Sequence, residues 1–153
     1  MTVTELSQET VKSNIKLTCG CFDILHRGHV QGLNAIADDG PGSLTVLINS
    51  DKSVKRLKGD TRPINNQYDR KYILQSLTAV DKVIIFDTEN ISSHLNLLKP
   101  DIFYKSTDYT IDTLNKEELY EIKRNNIEVR FVPFVDGYST TNIVNQINHE
   151  ANN

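Results

Sequence analysis

The stretch Ile15-Lys16-Leu17-Thr18-Cys19-Gly20-Cys21-Phe22-Asp23-Ile24-Leu25-His26-Arg27-Gly28-His29 decides how the rest of the chain is read. Ile15 to Cys19 alternates and is β-branched enough for a strand, and Gly20 lets the backbone turn sharply out of it. Beyond the turn, Val30, Leu33, Ile36 and Ala37 recur at helical spacing. They predict a helix from about Gly28 to Ala37, closed by Asp38-Asp39-Gly40-Pro41-Gly42. Strand, loop and helix in this order open a βαβ unit.

The pattern continues downstream. Leu44 to Asn49 reads as the second strand, and the basic segment after it as a loop, because it holds Gly59, Asp60 and Pro63 without clean periodicity. A helix is expected from about Gln67 to Leu77, with Tyr68, Tyr72, Ile73 and Leu77 sharing one face. Then come a strand at Lys82 to Phe86, a helix at Ile91 to Leu98, a strand at Ile102 to Tyr104 and a helix at Lys116 to Asn125. A strand at Glu128 to Val132 and a helix from Thr140 to about Ile147 end the series. Strands alternating with helices across short connections imply an α/β fold of three layers: an open, mainly parallel, Rossmann-like sheet with helices on both faces. No repeat or linker interrupts it, so residues 15–153 are expected to form one domain behind a polar, flexible extension at 1–14.

Composition excludes several classes. A chain of 153 residues can bury a core without disulfides or a structural metal. No apolar run approaches the roughly 18 residues of a membrane-spanning helix, and the polar start lacks a secretory pattern, so a cytoplasmic protein off the membrane is expected. A net charge of -3 argues against a nucleic-acid binder. Positive charge is nevertheless uneven: Lys52, Lys55, Arg56, Lys58, Arg62, Arg70 and Lys71 are seven of the 17 basic residues. Cys19 and Cys21, one residue apart, are read as free thiols near a strand end.

Ligands of such sheets bind outside the carboxyl ends of the strands, which is where His26 and His29 fall. The N-terminus of the first helix offers free amides and a partial positive charge to an anion. Both imidazoles can add N–H donors on that side, while Gly28 leaves room for a base or ribose to approach the backbone. A zinc site built from Cys19, Cys21, His26 and His29 fits poorly, since only four residues separate Cys21 from His26. Neither a P-loop nor a Gly-x-Gly-x-x-Gly fingerprint occurs.

Phe-Asp-x-x-His-x-Gly-His at 22–29 resembles the cytidylyltransferase-like family of nucleotidyltransferases. Asn49-Ser50-Asp51, Lys55 to Asp60, Arg62 to Asn65, Asp69-Arg70, Ala79 to Asp81 and Asp136 to Ile143 follow in the order of the adenylyltransferase domain of bifunctional heptose-phosphate proteins. The resemblance covers roughly Leu17 to Ile147. It implies transfer of AMP from ATP to a sugar 1-phosphate, heptose 1-phosphate first, with release of pyrophosphate. It further implies His26, His29 and Lys58 as catalytic groups. Cys21, Phe22, Gly28, Arg56, Asp136, Gly137, Tyr138, Ser139, Thr140 and Thr141 join them in holding the nucleotide. Asp51, Arg62, Arg70 and Lys105 are assigned to the acceptor, Arg62 or Arg70 holding its phosphate or a neighbouring carboxylate.

Magnesium is expected to arrive with the triphosphate, with no direct protein ligand and Asp23 as an outer partner. A homodimer is also implied. One departure concerns the acceptor: Lys105-Ser106-Thr107-Asp108-Tyr109 stands where the family has Lys-Gly-Gly-Asp-Tyr, so that site is narrower or differently shaped. Two other readings are a cytidylyltransferase acting on an alditol phosphate such as glycerol 3-phosphate, and a nucleotide-binding module without turnover. The first is weakened by Phe134-Val135-Asp136 in place of an Arg-Thr-Glu run.

Overall fold

A strand buried on both faces is apolar at odd and even positions alike unless its polar side chains find partners. The computed structural model, which describes residues 14–133 and 135–152, places two strands buried on both faces at the centre of one sheet. They are β1 (Ile15–Gly20) and β2 (Ser43–Asn49), and β2 is buried from Leu44 onward. With β3 (Lys82–Phe86), β4 (Ile102–Ser106) and β5 (Glu128–Val132) they form a five-stranded sheet in the order β3-β2-β1-β4-β5, every pair parallel. The chain builds outward from β1 to β3 and returns to place β4 on the other side of β1. The strand order therefore reverses at the carboxyl ends of β1 and β4, where a crevice opens.

Helices cover both faces, giving the three layers expected. On one face Leu33 and Ile36 of α1 (Arg27–Asp38) and Leu74 of α3 (Gln67–Gln75) pack against Val46, Ile48 and Tyr104. On the other, Leu95 of α4 (Ser92–Leu98) and Ile122 of α5 (Lys116–Arg124) pack against Leu17, Leu47 and Phe103. Buried polar groups pin the layers. Lys16, fully buried, donates through Nζ to the carbonyls of Ile36, Ala37 and Gly40 at 2.6–3.0 Å, satisfying the C-terminal end of α1. Asp101 accepts from the amide of Ile15, and Asp81 from that of Leu44.

Two expectations need correction. The basic segment is not all loop, since α2 spans Asp51–Lys58. Ser50 caps it by accepting from the amide of Ser53, and Gly59, at φ 96°, ends it. Within it only Ser53 and Val54 are buried, so there was no apolar stripe to detect. The face of α3 is also turned: Tyr68 and Tyr72 are 69% and 75% exposed, whereas Arg70 and Leu74 face inward. The guanidinium of Arg70 determines that rotation, as its partners lie beneath the helix. Other boundaries differ by a residue or two, except that α6 (Thr140–Ala151) runs four residues further. The extension at 1–13, Phe134 and Asn153 lie outside the described residues.

Candidate active site

Gly20 is the last residue of β1, and a Cβ there would sit 2.9 Å from the ring of Phe22. Phe22 itself takes φ 48°, a left-handed conformation unfavourable for a bulky residue, which swings the chain over the sheet edge. His26 is then the N-cap of α1 in extended conformation. Its Nδ1 accepts from the amide of His29 at 3.4 Å, and Nδ1 of His29 accepts from the amide of His26 at 3.3 Å. The rings stack with centroids 3.7 Å apart.

This reciprocal pairing fixes the protons. A neutral imidazole whose Nδ1 accepts must carry its hydrogen on Nε2, so both histidines present an Nε2–H. Burial, aided by His26 and by the positive charge of Lys58, pushes the pKa of His29 down to about 4; burial also lowers that of His26. Both are neutral donors at pH 7.

The remaining walls converge on this pair. Ser139 caps α6 by accepting from the amide of Asn142, and Thr140 Oγ1 donates to the carbonyl of Ile24, tying α6 to the loop after β1. Tyr138 lies parallel to His26 at 6.4 Å between centroids, with the guanidinium of Arg27 5.9 Å from its ring centre. A Cβ on Gly28 would come within 2.9 Å of Tyr138 and 3.0 Å of His26. A side chain at position 28 would therefore collide with both rings, and glycine keeps this part of the cleft open.

The cleft so formed has a volume of about 780 Å³. Among the residues anticipated from sequence, its lining includes Cys21, Phe22, His26, Gly28 and His29, then Lys58, Arg62 and Lys105, and finally Tyr138 to Thr141. Others are absent from it. Arg56 donates to the carbonyl of Asp87 at 2.6 Å and pairs with its carboxylate, so it is engaged by the segment just after β3. Asp136 and Gly137 form an exposed turn, Gly137 at φ 83°, that leads into Tyr138 without lining the cleft.

Arg70 is likewise committed to the protein. Its side chain is fully buried, Nε donates to Asn65 O, one terminal nitrogen donates to Cys21 O and Asn49 O, and the other pairs with Asp51 at 2.9 Å. The guanidinium therefore ties the tips of β1 and β2 together and is not offered to an acceptor phosphate, and Asp51 serves as its counter-ion. Asp23, 3% exposed, accepts from the amides of Ile64 and Asn65 and from Arg62 at 3.4 Å. Both carboxylate oxygens are engaged in holding the 62–65 loop, whose Arg62 also lines the cleft.

Both thiols line the cleft but are held protonated. Burial raises Cys19 to about 11 and also raises Cys21, so neither is a ready nucleophile. Sequence reasoning missed Glu89 and Glu118, which also line the cleft. No spacing marks them, because they reach it from two separate segments. Position just after β3 was the available signal for Glu89.

Residues 17–146 match the cytidylyltransferase-like family. The chain belongs to that family. Bifunctional protein HldE of Campylobacter fetus subsp. fetus is 47% identical over 130 residues, 85% of this chain and 27% of that protein. The HldE of Nitratiruptor sp. is also 47% identical, over 87% of the chain and again 27% of the relative. The chain thus spans about a quarter of the length of the curated relatives it matches. Among solved structures, the lipopolysaccharide core biosynthesis protein from Thermoplasma volcanium superposes with a TM-score of 0.64 at 28% identity, covering 82% of this chain and 98% of that one. Pantoate-beta-alanine ligase from Francisella tularensis, at 13% identity and a TM-score of 0.51, shares the fold over 80% of this chain and 60% of its own. Family and fold are those of nucleotidyltransferases. Among the described residues no helix is long and apolar enough to cross a membrane.

Proposed function

We propose that the chain is the adenylyltransferase of ADP-heptose formation, joining AMP from ATP to D-glycero-D-manno-heptose 1-phosphate with release of pyrophosphate. The observation that carries this reading is the interlocked His26–His29 pair, whose two Nε2–H donors face one cleft with the capped N-termini of α1 and α6. The heptose assignment draws on the likeness to the HldE proteins and on the ordered motifs from Asn49 to Ile143.

The chemistry follows from charge. An oxygen of the acceptor phosphate, largely dianionic at pH 7, forms a bond to the α-phosphorus while the bond to the α,β-bridging oxygen breaks. No general base is required. Negative charge grows on the non-bridging and leaving oxygens, and preorganised neutral donors stabilise it without reorganising. His26 and His29 take that role, Lys58 and Arg62 supply cations beside them, and Ser139 to Thr141 hold phosphate at the start of α6. Neutral imidazoles suit this task, because they stack 3.7 Å apart without mutual repulsion.

A magnesium ion carried by the triphosphate would neutralise part of its charge. The donor set fits a cation held by phosphate and water, since the carboxylate of Asp23 is already engaged by Ile64, Asn65 and Arg62. We take residues 15–153 as one catalytic unit acting in the cytoplasm as a homodimer. Turnover is tested by a matrix of ATP and CTP against heptose 1-phosphate, hexose 1-phosphates and glycerol 3-phosphate, read by pyrophosphate release. ATP with heptose 1-phosphate should exceed every other pair at least tenfold; a preference for CTP with glycerol 3-phosphate would refute the reading.

A further inference from the structure

The cleft is electrically two-sided, and the division follows the sheet. On the face of α1 lie His26, His29 and the start of α6, with Lys58 and Arg62 above them and the one carboxylate there, Asp23, already held by amides and Arg62. On the face of α4 and α5 the lining changes. There Glu89 follows β3, Glu118 rises from α5, Lys105 lies at the end of β4, and Asp108 and Tyr109 follow it.

Glu118 accepts from the amide of Ile91 and so braces the segment carrying Glu89. Asp108 accepts from Ser106 Oγ. The ammonium of Lys105 lies 4.4 Å from the centre of the Tyr109 ring and 5.6 Å from that of Phe103, and its charge acts on the same buried thiol, Cys19, as that of Glu118. Glu89 is exposed and makes no hydrogen bond or ion pair with the described residues.

Both substrates of the proposed reaction are polyanions, so carboxylates facing their phosphates would oppose binding. An anionic lining is compatible with such ligands only where they present uncharged hydrogen-bond donors. Ionised carboxylates accept and never donate, which matches the hydroxyl groups of a sugar. We infer that the α4/α5 side of the cleft, lined by Glu89, Asp108 and Lys105, is the subsite for the acceptor's hydroxyls. The acceptor then lies across the carboxyl end of β1, phosphate toward the histidines and polyol toward Glu89. This rests on the reading of a sugar-phosphate acceptor and adds the residues that select it.

Glu89→Gln and Asp108→Asn change exposed groups, so both proteins should fold as the parent does. Each should raise KM for heptose 1-phosphate at least fivefold, leaving KM for ATP and kcat within twofold. Unchanged KM for heptose 1-phosphate in both variants overturns the inference. Calorimetric binding separates this from the choice of sugar, and is informative even if heptose 1-phosphate is not turned over. Mannose 1-phosphate should bind Glu89→Gln at least fivefold more weakly, while methyl phosphate, which has the phosphate and no hydroxyl, binds both proteins equally. Equal loss for the two ligands would mean that Glu89 acts on the phosphate. Phosphocholine binding the parent more tightly than mannose 1-phosphate would mean that the anionic side serves a cation. Either result overturns the assignment.

Discussion

Because each histidine ring accepts the backbone amide of the other, removing one should disable both. His29→Ala deletes one Nε2–H, and the loss of a single preorganised donor typically lowers turnover ~10²–10³-fold, about 2.7–4 kcal/mol of barrier. It also removes the ring stacked 3.7 Å from His26 and the Nδ1 that accepts from the amide of His26. His26 is then free to rotate, and its own donor is no longer aimed. His26→Ala acts in the converse way and also deletes the cap of α1, at about 0.5–2 kcal/mol of stability. Independent donors would make the double variant ~10⁴–10⁶-fold slower, since separate barrier increments add. The interlocked geometry predicts ~10²–10⁴-fold instead, with a coupling of at least about 1.4 kcal/mol, the tenfold threshold. The assay is pyrophosphate release at saturating ATP for parent, both single variants and the double, with circular dichroism to verify folding. A double loss equal to the product of the single losses would refute the coupled-donor argument.

Lys58 ends α2 at the cleft, just before Gly59; Lys58→Ala should raise KM for ATP and lower kcat together, and a change in neither removes it from the site. Arg70 is a fully buried guanidinium with four bonds to the protein, so Arg70→Met should destabilise by roughly 3–5 kcal/mol in urea unfolding. An unchanged midpoint with a raised acceptor KM would return Arg70 to the acceptor site. The pKa of His29, about 4 against an ordinary value of 6.5, gives a pH window with a definite sign. Between those values the unfolded chain takes up a proton that the native site refuses, so stability should fall as pH drops from 6.5 toward 4. His29→Gln should lessen that fall, and identical urea profiles for parent and variant at pH 7.5 and 5 would contradict the buried neutral imidazole.

Much of the fold was legible because the strands are short, apolar and punctuated. Ile15 to Gly20 and Leu44 to Asn49 announce themselves by content, and Gly40, Pro41 and Gly42 close α1. What stayed hidden was set by buried charge. A helix is assigned from apolar periodicity, and α2 has only Val54 and the exposed Leu57 to show; the tyrosines of α3 carry a pattern that the demands of Arg70 override. The histidine motif located the site because its spacing is local. The distinction between Arg62, which lines the cleft, and Arg70, turned into the protein, depends on carbonyls from residues 21, 49 and 65, and no one-dimensional pattern brings those together. Glu89 and Glu118 were missed on the same ground, being isolated acids on separate elements that only the parallel topology assembles.

The central claim is that this cleft transfers an adenylyl group, and following the label from two forms of ATP tests it most directly. With heptose 1-phosphate and magnesium, label at the α-phosphorus should appear in a sugar nucleotide and label at the γ-phosphorus in pyrophosphate, in equal amounts. Gamma label appearing on the sugar, or alpha label remaining in ATP while pyrophosphate is absent, would contradict it.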